Sequence, residues 1–133
     1  MPVLVDSNVL LDIFTEDAIW LGWSAKALEA AADRSRLVIN PMIFAEVSVH
    51  FDTIEELDAT LPPIVEREDI PYAAAFLAGK CFLRYRRRGG VKASPLPDFF
   101  IGAHAAIAGH ELLTRDAARY RSYFPTVPLI APD

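Results

Sequence analysis

Val3-Leu4-Val5-Asp6-Ser7-Asn8-Val9-Leu10-Leu11 begins with a short β-branched and leucine run that stops at a carboxylate. Such a run, bounded by turn-forming residues, reads as a strand buried on both faces, with Asp6 at its carboxyl end. Residues 7–14 then read as a short helix, with Ser7 or Asn8 able to cap it. The same alternation continues outward. Residues 20–34 have helical spacing, with Trp20, Trp23, Ala27 and Ala31 on one face and Lys26, Glu29 and Asp33 elsewhere. Leu37-Val38-Ile39 is a second buried strand, and Pro41 opens a helix running to about Phe51. Thr53 and Glu56 form a capping box for a helix over 54–60, which Pro62-Pro63 ends before a short edge strand at Ile64-Val65.

Residues 71–88 predict a long helix with Tyr72, Phe76, Gly79 and Leu83 on one stripe and Gly89-Gly90 as its stop. A loop over 91–96 leads to Pro97 and an alanine-rich helix that ends at Gly109. Leu112-Leu113-Thr114 is a strand, 117–124 a helix, and Val127–Ile130 a last strand. Strands alternating with helices predict an α/β domain over residues 1–133, with a mainly parallel sheet of four to five short strands flanked by helices.

Composition narrows the function classes. Hydrophobic residues are 53% of the 133, which excludes a disordered chain, and no apolar run approaches the ~20 residues that cross a bilayer. The N-terminal residues lack the basic and apolar regions of a signal peptide, and a lone cysteine, Cys81, forms neither an internal disulfide nor a thiolate cluster; both fit a reducing cytoplasm. The formal charge of −5 at first argues against a nucleic-acid partner. Its distribution reverses that reading: residues 52–69 alone carry −6, and Arg84, Arg86, Arg87, Arg88 and Lys92 place five of the 13 basic residues within nine positions. The basic stretch suits phosphate contacts, with Tyr85 available for stacking on bases.

In open α/β sheets ligands gather beyond the carboxyl ends of strands. Asp6 and Asp116 stand there, Asp98 lies in the first turn of the helix after Pro97, and Glu46 sits in a helix among Met42, Ile43, Val47 and Val49. A carboxylate in apolar surroundings is costly unless a cation meets it. Four acids converging on one sheet end therefore predict a site for a hard divalent cation, Mg²⁺ or Mn²⁺. His50, His104 and His110 have no metal-ligand spacing with one another and are expected in structural or surface roles. Cys81 is expected in a helix core, and Trp20 and Trp23 in the core or lining a partner groove.

These segments, together with Ala45-Glu46-Val47, Pro97-Asp98-Phe99-Phe100-Ile101-Gly102-Ala103-His104-Ala105 and Leu112-Leu113-Thr114-Arg115-Asp116, resemble the PIN-domain nucleases, and more narrowly the VapC toxins of toxin–antitoxin pairs. The likeness runs through the whole chain in order. It implies a PIN-like three-layer fold and a metal-dependent endoribonuclease. Asp6, Glu46 and Asp98 fall on the family's principal acids and Asp116 on its more variable fourth, while Asn8 and Thr114 match polar supports of the site. Ser7 stands where threonine is common. It further implies in-line attack on RNA by metal-activated water leaving a 5′-phosphate, a homodimer, and inhibition by a VapB-type antitoxin.

Two other catalytic classes begin with a similar strand. A haloacid-dehalogenase-like phosphatase needs a second acid two residues after the first, where this chain has Asn8. A phosphorylation-receiver domain needs paired acids there and a late lysine, and no lysine follows Lys92. A non-catalytic PIN-like RNA-binding module gains nothing from four carboxylates beside phosphates.

Overall fold

The structure is a computed structural model and describes residues 1–92 and 96–133; the expected loop over 91–96 includes 93–95, which lie outside the described residues. β1 (Val3–Val5), β2 (Leu37–Ile39), β3 (Val65–Arg67), β4 (Glu111–Leu113) and β5 (Leu129–Ile130) pair in the order β3-β2-β1-β4-β5, all parallel. Every side chain of β1 and β2 is buried, as a parallel sheet covered on both faces requires. The edge strands differ from expectation. β3 begins one residue later and extends to Arg67, with its charged residues facing solvent, and β5 is confined to two residues. Charge along an exposed edge discourages pairing with a second sheet.

The helices are α1 (Ser7–Phe14), α2 (Leu21–Arg34), α3 (Pro41–Ser48), α4 (Ile54–Thr60), α5 (Tyr72–Arg87), α6 (Pro97–Ala108) and α7 (Ala118–Tyr123). Strand order runs outward from β1 in one direction through β2 to β3, then resumes on the other side with β4 and β5. Right-handed crossovers therefore put α1–α4 on one face and α5–α7 on the other. The packing agrees: α1 lies on α2 and α3, and α6 on α5 and α7. This is a PIN-like α/β sandwich, and its topological switch lies between β1 and β4, where a ligand crevice belongs.

Local chemistry sets the helix ends. Asp6, rather than Ser7 or Asn8, caps α1, its Oδ1 accepting from Ser7 N–H at 2.8 Å. Asn40 Oδ1 caps α3 by accepting from Ile43 N–H, and α3 ends at Ser48, three residues short of expectation. Ser48 Oγ turns back onto the Phe44 carbonyl at 2.6 Å, a local bond that competes with continuation of the helix. Thr53 Oγ1 caps α4 through Glu56 N–H as the capping box predicts.

α6 is the central helix, with Phe99 and Ile101–Ala105 all buried. Gly102 lets Phe124 approach its backbone, since a Cβ there would meet the phenyl ring. Gly109 ends α6 at φ +72°, the left-handed conformation that glycine adopts without strain. The largest departure is in α5: the predicted stripe faces outward, with Tyr72 95% and Phe76 69% exposed, while Ala74, Ala78 and Cys81 form the buried side against α6.

Candidate active site

Asp6 leaves β1 at the switch point and is 3% exposed. Its Oδ2 accepts from Thr114 Oγ1 at 2.9 Å, from Tyr120 Oη at 2.9 Å and, more weakly, from Asn8 Nδ2 at 3.4 Å. Thr114 is delivered by the residue after β4, and Tyr120 by α7. Ser7 Oγ then donates to Glu46 Oε1 at 2.9 Å, which ties α3 to the end of β1. The Tyr120 hydroxyl also lies 3.3 Å from Asp98 Oδ1. Three carboxylates from three separate elements are thus joined through two hydroxyls.

Asp116 approaches by its backbone: its N–H donates to Thr114 Oγ1 at 3.1 Å, while the carboxylate is exposed. Asp98 and Asp116 line one cleft of about 560 Å³, along with Arg88 and Arg119. The structure therefore brings together Asp6, Glu46 and Asp98, and sets Asp116 at the rim. Asn8 and Thr114 occupy supporting places: Asn8 Nδ2 donates to Thr114 Oγ1, and Asn8 Oδ1 accepts from Arg115 N–H.

The electrostatics are those of an under-compensated acidic group. Burial raises the carboxyl pKa of Asp6, Glu46 and Asp98 above the ordinary range. Donated hydrogen bonds oppose the rise at each, and the negative charge of neighbouring acids adds to it. Among the described residues the cation paired with this group is Arg119, whose Nη1 is 3.4 Å from Asp98 Oδ2. Tyr120 is held as the neutral phenol, because burial and then the surrounding acids push its pKa well up. An all-oxygen set carrying more negative charge than its partners offset fits a hard divalent ion.

Two residues of this group escape a reading by sequence alone. Tyr120 is signalled only by its place one turn after Asp116, and a buried tyrosine hydroxyl needs a partner. Ser7 looks like a neutral replacement until its hydroxyl is seen bridging toward Glu46. Of the predicted basic residues, Arg88 lines the cleft, and its guanidinium lies over the Tyr123 ring with its Nη1 3.3 Å from Ser122 Oγ. Arg84 also lies over Tyr123, and Arg86 donates to the Lys92 carbonyl; Arg84, Arg86, Arg87 and Lys92 are exposed. Tyr85 is not a free stacking platform: its ring packs against Phe82 and Phe99, and its hydroxyl accepts from the Val91 and Lys92 N–H groups.

His50 is exposed and His104 and His110 are buried, in keeping with surface and structural roles; the two buried rings, unrelated by spacing in the sequence, converge on the Glu68 carboxylate. Cys81 is buried as expected.

No helix of the described residues is long and apolar enough to cross a membrane. No curated protein matches this sequence. Among solved structures, the fold is similar to VapBC2 from Rickettsia felis bound to a promoter DNA fragment, at TM-score 0.75 and 17% identity over 100% of each chain. It is also similar to VapBC-1 from nontypeable Haemophilus influenzae, at TM-score 0.73 and 16% identity, and to a toxin–antitoxin complex from Klebsiella pneumoniae, at TM-score 0.68 and 23% identity, each over 98% of both chains. The PIN domain family model matches residues 3–124, so the chain belongs to the PIN-domain family.

Proposed function

We propose that this chain is a Mg²⁺- or Mn²⁺-dependent endoribonuclease of the VapC type, the toxin of a toxin–antitoxin pair. The observation that carries the reading is the joining of Asp6, Glu46 and Asp98 at the carboxyl end of the central strand through the Ser7 and Tyr120 hydroxyls. Asp6 and Asp98 would hold the ion, with Glu46 and Asp116 binding directly or through water. When bound, the ion supplies the positive charge that offsets phosphoryl oxygens and lowers the pKa of water.

The chain's own residues do the rest. Thr114 and Asn8 fix the Asp6 carboxylate, and Ser7 fixes Glu46. Arg88 and Arg119 at the cleft are placed to neutralise phosphates flanking the scissile bond. Solved structures of similar fold include VapBC complexes, which supports a VapB-type antitoxin as partner; a homodimeric toxin and a cytoplasmic setting complete the proposal. The deciding experiment incubates wild type and Asp6→Ala with total RNA and Mg²⁺ or Mn²⁺ and maps the cut ends. Discrete cuts bearing 5′-phosphates, absent from the variant, are expected. Equal cleavage by Asp6→Ala would overturn the reading.

A further inference from the structure

We propose that Glu68, His104 and His110 form a second cation site, one for Zn²⁺ rather than Mg²⁺, coupled through Asn40 to the helix that carries Glu46. Glu68 follows β3, His104 lies on α6 and His110 precedes β4. Glu68 Oε1 is 2.8 Å from His104 Nε2 and 2.7 Å from His110 Nε2, and one ligand atom from each residue lies within 4.8 Å of the others. The imidazoles are buried, while the Glu68 side chain is 33% exposed and borders a separate cleft of about 300 Å³ with Asn40, Phe44, Arg67 and Asp69. None of the three is hydrogen-bonded to the four acids of the nuclease site among the described residues.

Two imidazoles and one carboxylate, completed by a water, are a donor set of the Zn²⁺ type, whereas Mg²⁺ takes oxygen ligands. Tetrahedral Zn²⁺ at ~2.0–2.1 Å from each ligand separates them by about 3.3 Å. Glu68 therefore withdraws by about half an ångström from its present hydrogen-bonding place, which a partly exposed side chain permits, and the two imidazole nitrogens, now within 4.8 Å of each other, close to that same separation.

The proton inventory supplies the coupling. Asn40 Oδ1 accepts from Ile43 N–H at 2.9 Å, so its Nδ2 is the atom facing His104 Nδ1 at 3.0 Å. That nitrogen must accept, which places the His104 proton on Nε2, donated to Glu68. An ion taking Nε2 sends the proton of the neutral ring to Nδ1, which must then donate. Asn40 satisfies it only by turning its oxygen toward His104, releasing Ile43 N–H and uncapping α3. His110 faces no such constraint, because its buried Nδ1 has no partner among the described residues and a proton moved there breaks no existing bond. An aspartate at position 40 would serve both demands at once, one oxygen on Ile43 N–H and the other on His104 Nδ1–H, as carboxylates commonly do behind metal-bound histidines.

The test is calorimetric titration of Zn²⁺ into the Asp98→Asn variant in excess Mg²⁺, which separates this site from the acidic one. One Zn²⁺ per chain is expected, with affinity falling at least tenfold in Glu68→Gln and His110→Gln and rising about tenfold in Asn40→Asp. Glu68→Gln keeps the carbonyl acceptor at nearly unchanged shape, so it decides the matter if His110→Gln fails to fold. Co²⁺ in place of Zn²⁺ should give the visible bands of a tetrahedral nitrogen-ligated ion, lost in both ligand variants. Absence of Zn²⁺ uptake, affinity indifferent to Glu68→Gln, or no gain in Asn40→Asp overturns the proposal.

Discussion

Asp6 has two duties. Its Oδ1 caps α1, and its Oδ2 collects Thr114 and Tyr120, so the backbone turn that ends β1 also fixes the candidate ligand. Tyr120 holds Asp6 and Asp98 together from one hydroxyl, at the place where an ion shared by them would act. Tyr120→Phe should lower metal-free stability by about 1–2 kcal/mol. It should also enlarge the rise in Tm on adding Mg²⁺, since the carboxylates lose their substitute partner. Urea unfolding with and without Mg²⁺ checks both. Asp98 gives a pH test. Burial raises its pKa above the ordinary 3.8, so the folded chain takes up the proton before the unfolded chain does. Stability therefore falls as pH rises from the ordinary value through the raised one. Metal-free Asp98→Asn should melt a few degrees higher than wild type at neutral pH, with the gain shrinking as pH falls through that window. The same variant should lose RNA cleavage and the Mg²⁺-induced shift in Tm. The convergence of Asp6, Glu46 and Asp98 is legible because each stands at an element boundary or in an apolar helix face. Tyr120 is not, because a tyrosine in a short amphipathic helix gives no sign of what its hydroxyl meets.

At the scale of elements, α5 explains where sequence patterning misleads. Tyr72, Phe76, Gly79 and Leu83 share one helical stripe, and Ala74, Ala78 and Cys81 share another with the same spacing. Hydrophobicity favours the first as core. The structure buries the second, because small side chains let α5 lie close against α6, and size rather than apolarity selects the face. Ala78→Leu should then cost about 1–3 kcal/mol by overpacking, whereas Phe76→Ser should stay within about 0.5 kcal/mol. Thermal or denaturant melts distinguish them. The strand and helix order was readable almost throughout, since short apolar runs and caps act locally. The ends of α3 and β3 were not. Those depend on Ser48 bonding back to Phe44 and on Val65–Arg67 pairing with β2, and neither partner is announced by the residue itself.

For the whole molecule, the charge of −5 is a sum over regions with different work. Part of the acidic 52–69 segment is balanced, Asp58 by Arg67 within it and Glu66 by Arg36 of the neighbouring β2 end. Arg88, just beyond the end of α5, and Arg119 of α7 meet at the cleft that holds Asp98 and Asp116. Arg88→Ala and Arg119→Ala should each weaken RNA binding and reduce the slope of log K against log salt by about 0.7, the value for one phosphate contact on a single strand. Fluorescence anisotropy at several salt concentrations, in the cleavage-dead Asp98→Asn background, measures it.

The topology also orders events in time. Val3 pairs with Glu111, and Asp6 is completed by Thr114 and Tyr120, so the earliest strand waits for residues made more than a hundred positions later. Contacts this remote in sequence close late and slowly. A nascent chain still lacking β4 and α7 has Asp6, Ser7 and Glu46 but not the Thr114 and Tyr120 hydroxyls that fix Asp6 and tie it to Asp98. The candidate site is therefore assembled only once β4 and α7 have been made and packed against β1.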